Sequence, residues 1–532
     1  MKRGLLACLF AVCAGAARAE TFKILGPRPL GMGGAFVAIA EGGLAQYWNP
    51  AGLDQKDAEN SKWGVQLPVG AEATFTGGVL QDANTLGNMS SQFQAIQSAQ
   101  KSGTAGAMDA TKMGAFVQAL PTIADLNHNG KGALADVEGG AEVKIGRFAV
   151  SVNNFTSIGA SPFVDTTNIG LGNGGTGIAG LSYAGVATGA PAAQYTTSRN
   201  SIQTAIDTIG FASLNSLICG SAACLSAQNA GLNSSTNLAN ALVNAAVTNG
   251  QSAQQIQDAA SQMAQNAAGA APIIQSGASG KAYTNNQTNL TLRGASLTEI
   301  AFGYGRQFFV PGLSLGGNLK LIRGQIGYSR YNVLTNDAGS TNALKNFRDS
   351  SAVSVAPAVD LGALWKLNQV VPVLPFNPRV GIVAKNINNP KFDQPATAIA
   401  NGEGSKYAEN AQLRMGLAVS PLHFWNIAAD MDLTDNLTPV NGYHSRMFGL
   451  GTEVNVFNRS WINIPLRAGI MKNLADTGSA LSYTAGFGIN FLHFMVDVGG
   501  AISADQTTIN TQGNSQKVPQ SAAGAAQLAF MF

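Results

Sequence analysis

The chain has 532 residues, of which 11% are charged and 63 are glycine; soluble domains usually carry ~25% charge. Such a composition argues against a soluble enzyme and suits a barrel whose outer face meets lipid. A net charge of +3, with no basic run, argues against a nucleic-acid partner.

Lys2 and Arg3 precede an apolar stretch from Leu5 to Gly15, and Ala17-Arg18-Ala19 has the small-x-small form of a cleavage site. Residues 1–19 therefore read as a signal peptide, with the mature chain starting at Glu20. No later apolar run approaches the ~20 residues of a membrane helix. Soluble periplasmic, secreted and barrel-inserted forms remain open.

Residues 20–57 are Gly-rich yet apolar. Gly31, Gly33 and Gly34 permit tight turns and close packing. Phe36, Val37, Ile39, Tyr47 and Trp48 supply bulk that a flexible linker has no use for. The stretch ends in Asn49-Pro50-Ala51 and reads as a plug that packs inside something. Its Gly26-Pro-Arg-Pro-Leu-Gly-Met-Gly-Gly-Ala-Phe36 run and its Tyr47-Trp-Asn-Pro-Ala-Gly-Leu53 ending resemble the FadL-like outer-membrane transport superfamily, most closely the conjugal-transfer TraF-like outer-membrane branch. The resemblance rests on this segment alone. It implies a fourteen-stranded barrel, a hatch containing Asn49, Pro50 and Ala51, and a lumen that guides hydrophobic or long-chain fatty-acid-like molecules.

Next, Trp63, Val65, Leu67 and Val69 alternate as a first strand should. Residues 75–137 form an insertion in which Ser90 to Ser102 and Gly106 to Leu120 read as weakly amphipathic helices. Ala141–Ile145 and Phe148–Phe155 flank a turn at Gly146-Arg147. Residues 158–288 are a second insertion, opening as a Gly-rich loop. From Asn200 to Ala271 an Ala/Asn/Gln/Ser tract favours helix, with stripes at Leu238, Leu242 and Val243 and at Ile256, Ala259, Met263 and Ala267. Two or three helices on or over a barrel mouth are expected.

From about Asn289 onward, alternating segments follow to the end. Leu481, Tyr483, Ala485, Phe487 and Ile489 oppose Ser482, Thr484, Gly486, Gly488 and Asn490; Ile462, Ile464, Leu466 and Ile470 oppose Asn463, Arg467 and Gly469. Apolar-out and polar-in alternation over membrane-spanning length is the signature of a transmembrane barrel. The apolar faces are nearly free of charge, and Trp365, Trp425, Trp461 and Phe491 sit near segment ends, as an interfacial girdle would. Gly524, Ala526, Leu528, Phe530 and Phe532 resemble the closing strand of outer-membrane barrels. Counted together, the segments reach the fourteen that the resemblance implies. The expected architecture is all-β: residues 58–532 form a transmembrane antiparallel barrel in the bacterial outer membrane, with an N-terminal hatch and helical extracellular insertions. Outer-membrane lipid and a hydrophobic small molecule are the expected partners. Nothing in the pattern sets an oligomeric state.

Few motifs suggest chemistry. Residues 125–136 match the spacing of an EF-hand loop except for Asp136 at its twelfth position. Asp125, Asn127, Asn129 and Asp136 are spaced to converge on Ca²⁺, with Gly130 giving the turn; the competing reading is a polar turn before a strand. No cofactor is otherwise required. Gly170 to Gly175 fits G-x-G-x-x-G without a βαβ context and reads as loop. Cys219 and Cys224 are placed to close a small disulfide in an oxidising compartment, or stand as two free thiols. No catalytic residue is assigned: no G-x-S-x-G occurs, and His493 with Asp497 reads as lumen polarity. By the resemblance, the ligand path involves Phe36, Trp48, Lys320, Arg414 and Arg467, whose cations meet an anionic head group. The alternative is that lumen charges pair with one another. The rival function is an interaction or structural barrel linked to conjugation or cell contact.

Overall fold

A computed structural model describes residues 19–55, 62–88, 110–166, 187, 189–214, 231–278, 287–332, 343–459, 461–511 and 514–532. The signal peptide through residue 18, the helix at Ser90 to Ser102, the Gly170 loop and Cys219 with Cys224 lie outside them.

Fourteen strands close one antiparallel barrel. They are β1 Trp63–Thr76, β2 Gly132–Ile145, β3 Phe148–Phe163, β4 Asn289–Gln307, β5 Leu313–Asn332, β6 Ala352–Lys366 and β7 Arg379–Lys385. The circuit continues through β8 Gln412–Leu422, β9 Trp425–Asp432, β10 Met447–Asn458, β11 Ile462–Asn473, β12 Ser482–Phe491, β13 Phe494–Ser503 and β14 Ser521–Met531. Each strand pairs with its sequence neighbours, and β14 pairs with β1 to close the ring. At that seam the rings of Trp63 and Phe532 stack at 4.5 Å.

The alternation seen in the sequence becomes the two faces of the wall. Val69, Phe302, Leu319 and Tyr483 point outward and are exposed, whereas Glu142, Lys320, Asp430 and Arg467 point inward and are buried. An apolar exterior of this kind is stable only in lipid. Trp63, Phe148, Tyr304, Trp365, Trp461 and Phe491 gather at the end with the short turns, as an aromatic girdle does. The protein is an outer-membrane barrel. Short connections mark the periplasmic end and long ones the extracellular end. No helix among the described residues is long and apolar enough to cross a membrane.

The insertions are shorter than expected. β1 runs on to Thr76, β2 starts at Gly132 and β3 ends at Phe163, so they span 77–131 and 164–288. Gly139-Gly140 and the acids Glu138 and Asp136 hide the alternation of upper β2. The helices are α3 Val79–Asn88 and α4 Ala110–Asp125 in the first insertion, then α5 Thr196–Ile209, α6 Ser235–Thr248 and α7 Ala253–Ala278 in the second. The hatch supplies the short turns α1 Pro27–Gly31 and α2 Ala45–Trp48. Helices α4 to α7 pack around one core that includes Met113, Ile202, Leu242 and Met263. Two shorter helices, α8 Ala343–Asp349 and α9 Ala396–Ala400, lie in later extracellular connections.

Candidate functional site

The hatch threads the lumen from the extracellular mouth to the periplasmic end. Ala19–Glu20 pairs in parallel with Asn436–Leu437 of the 433–446 connection, and Asp54 reaches Arg147 at the periplasmic turn. Pro27 at the first position of α1 fixes a helical start without costing a hydrogen bond. Beyond α1, Gly33 and Gly34 adopt φ of 68° and 79°, which turns the chain back across the lumen. Phe22, Phe36, Tyr47 and Trp48 form an aromatic core, with Phe36 edge-on to Trp48 at 5.8 Å. The Trp48 indole donates to the Leu25 carbonyl at 2.9 Å.

The plug is fastened to the wall by polar ties. The Asn49 side chain donates to the carbonyls of Val37 and Ala363, at 3.1 and 3.0 Å, and accepts from the Ala51 amide at 3.2 Å. Asp430 of β9 accepts from the amides of Phe36 and Val37, at 2.7 and 2.8 Å. Lys23 pairs with Asp136 at 2.7 Å. Arg28 grips Glu453 at 2.7 and 2.8 Å and Glu41 at 2.6 Å. Burial opposes the Arg28 charge, but Glu453 and then Glu41 more than offset it, so its pKa is raised.

Wall glycines let the hatch backbone touch the wall directly. A side chain at Gly381 of β7 would begin 2.7 Å from the Val37 carbonyl oxygen, and one at Gly469 of β11 2.7 Å from the Gly33 nitrogen. Gly316, Gly362, Gly416 and Gly449 face hatch backbone or Asn49 as closely. The sequence reading identified the hatch glycines and overlooked these. Their only signal is glycine recurring on inward-facing strand positions.

The lumen cations of the resemblance are occupied. Lys320 pairs with Asp360 at 3.0 Å, Arg414 with Asp432 at 2.5 Å, and Arg467 with Glu453 and Asp497 at 2.8 and 2.6 Å. Buried charge requires such partners, so the paired-charge alternative describes these three residues, and none presents an open cation to a head group. Phe36 and Trp48 are core of the plug rather than an open path. Lys385 differs, lying over the Tyr47 ring at 3.0 Å and the Phe22 ring at 4.3 Å.

One sector of the inner wall is apolar. Leu297 and Ala295 of β4, Ile322 and Ile326 of β5, and Ala356 and Ala358 of β6 form a strip packed against Phe392 and Tyr407. A cavity of about 400 Å³ at the extracellular mouth borders Ile326, Tyr407 and Val440. A smaller one of about 30 Å³, against the hatch, borders Leu297, Phe155, Tyr47 and Lys385. On the periplasmic side of the plug, about 290 Å³ opens among Arg28, Phe36, Asn463 and Asn490.

Three of the four residues spaced for calcium meet other partners. Lys131 pairs with Asp125 and Asp82; burial opposes its charge, but the hydrogen bonds to Asp125 and Asp82 raise its pKa. Asn127 bonds the backbone of Val164, and Asp136 faces the lumen on Lys23. Strand β2 begins inside the motif, at Gly132, and carries Asp136 on its buried lumen face. His493 binds the Met531 carbonyl while Asp497 binds Arg467, so the two do not act as a pair.

The family model described as F plasmid transfer operon, TraF, protein matches residues 46–432. Among solved structures, the P. putida toluene transporter TodX is similar over 95% of this chain and 98% of its own, at 10% identity and a TM-score of 0.40. The Ralstonia pickettii toluene transporter TbuX is similar over 96% and 100%, at 10% identity and 0.40. For the CymD monoaromatic hydrocarbon channel the values are 97% and 99%, at 12% identity and 0.41. No curated protein sequence matches.

Proposed function

We propose, for a chain that belongs to the TraF protein family of the F plasmid transfer operon, a channel for passive entry of small hydrophobic or amphipathic molecules across the outer membrane. One observation carries the reading: the apolar strip borders both the mouth cavity and the smaller cavity against the hatch, while the lumen cations Lys320, Arg414 and Arg467 are paired with acids. Apolar solutes partition onto such a strip and leave charged walls to water. Within this class, a long-chain fatty-acid-like amphiphile is the proposed cargo. Lys385 at the foot of the strip suits an acidic head. No nucleotide or catalytic step is part of the proposal, and passage requires the hatch to yield.

The test is uptake of a hydrophobic fluorescent probe by liposomes holding the purified protein, beside a variant lacking residues 21–57. Uptake above empty liposomes, faster without the hatch, is expected. If neither protein passes the probe, the channel reading fails. The rival is then an interaction barrel serving conjugation or cell contact, a reading supported by the separate core of the α4 to α7 bundle.

A further inference from the structure

The lipid-facing wall carries a polar island across β3 and β4. Asn154 and Thr156 of β3 and Ser296 and Thr298 of β4 point outward and bond one another, with Asn154 donating to Ser296 at 3.1 Å and to Thr298 at 3.0 Å. Thr156 donates to Asn154 at 2.9 Å and lies 2.9 Å from Ser296. Across β5, Arg323 pairs in register with Thr298 and Gln325 with Ser296. Arg323 is exposed and makes no ion pair among the described residues.

The island is bounded by apolar wall. Along its register, Val137 of β2 faces Thr156 on one side, and Val353 and Val355 of β6 face Gln325 and Arg323 on the other. All three valines are about half exposed. Strands in a barrel are tilted, so one of these flanks stands higher in the membrane than the island and is still apolar. The island is therefore more than the upper limit of the apolar belt.

Its height is that of the outer-leaflet head groups. Arg323 lies 10 residues up β5 from Leu313, which pairs with the girdle residue Trp365. At ~3.3 Å per residue and about 40° of tilt, this is ~25 Å of height, the full span of an outer-membrane apolar belt. Directly above, on the same face, Phe347 of α8 packs on Gly327 and Gly294. That contact holds α8 above the island, with Lys345 and Arg348 exposed and Arg348 paired with Asp349 at 3.3 Å.

We propose that this face binds the phosphate groups of an outer-leaflet glycolipid. Arg323 supplies a planar fork for phosphate oxygens, the hydroxyl and amide ring meets the sugar, and Lys345 adds charge. A cation next to a charged membrane surface adds roughly fivefold to affinity.

Native mass spectrometry of the full-length mature barrel would measure retained lipid A, in its bisphosphorylated and dephosphorylated forms. The protein is expected to keep the phosphorylated form preferentially. Arg323→Ala should weaken retention roughly fivefold, and the Lys345→Ala, Arg348→Ala double variant by a similar factor. Arg323→Lys should fall between, and Arg306→Ala, at the opposite membrane edge, should match the wild type. A heat-modifiable band on gels shows that each barrel is folded, and the double variant leaves the barrel strands untouched. Equal retention of both lipid forms overturns the proposal, as does unchanged retention in the variants. Displacement by inorganic phosphate at the lipid's own concentration would make this a site for free phosphate. An Arg323-dependent pairing of two barrels would make it a protein interface. Either result overturns the assignment.

Discussion

Arg28 of the hatch and Glu453 of the wall meet through two parallel hydrogen bonds, Nε to Oε2 at 2.7 Å and Nη2 to Oε1 at 2.8 Å. Glu453 also holds Arg467, so this carboxylate is shared between a hatch cation and a wall cation, with Glu41 and Asp497 supplying the second negative charge to each. Glu453→Gln should cost about 3–5 kcal/mol, the usual loss when one partner of a buried pair is removed. Arg28→Ala should cost less, because Glu453 keeps Arg467. Thermal melting ranks the two, and equal losses would contradict the arrangement.

Gly381→Val should unseat the hatch and leave the barrel standing. The new side chain meets the Val37 carbonyl, and overpacking of this kind costs about 1–3 kcal/mol. Protease should cut residues 21–55 faster in this variant, while the heat-modifiable barrel band persists. Gly524→Ala is the control, since nothing lies within 4 Å of its added carbon.

Asn49→Ala removes the tie between hatch and β6. Two carbonyls and one amide lose their partner, and an unmet buried polar group costs about 1–3 kcal/mol. Planar-bilayer recordings should show openings that are rare in the wild type. Silent membranes with a destabilised protein would make Asn49 a fold residue and not a gate residue.

Leu297→Asp puts charge on the apolar strip. Uptake of a hydrophobic probe should fall several-fold, while uptake of a small polar dye through the hatchless barrel stays level. A fall in both would mean that the barrel itself is damaged.

Chelation should leave the melting temperature unchanged, since Asp125 and Asp136 serve different lysines. Asp136→Ala should lower it whether or not calcium is present, by leaving Lys23 without its carboxylate. A calcium-dependent rise that Asp125→Ala abolishes would restore the metal reading.

The wall was legible because alternation over a membrane's thickness leaves few other folds. Leu481 to Phe491 declares both of its faces in the sequence. The fit of plug to wall was not legible. Gly316, Gly362 and Gly449 are small residues in strands, and nothing local says whether the missing side chain makes room for a backbone or marks a bend. The inner strip was hidden likewise, since Phe392 reaches Gly324 from the distant 386–411 connection. Arg323 is the exception to an outer face that the sequence presents as almost without charge. The basic lumen residues were recognised by type, but their engagement depends on Asp360, Asp432 and Asp497, carried by other strands.

The hatch backbone rests on glycines of strands far apart in the chain. A side chain gained at one of those wall positions therefore reaches the plug before it disturbs any strand pairing, so the inner face of the wall and the hatch are constrained to change together.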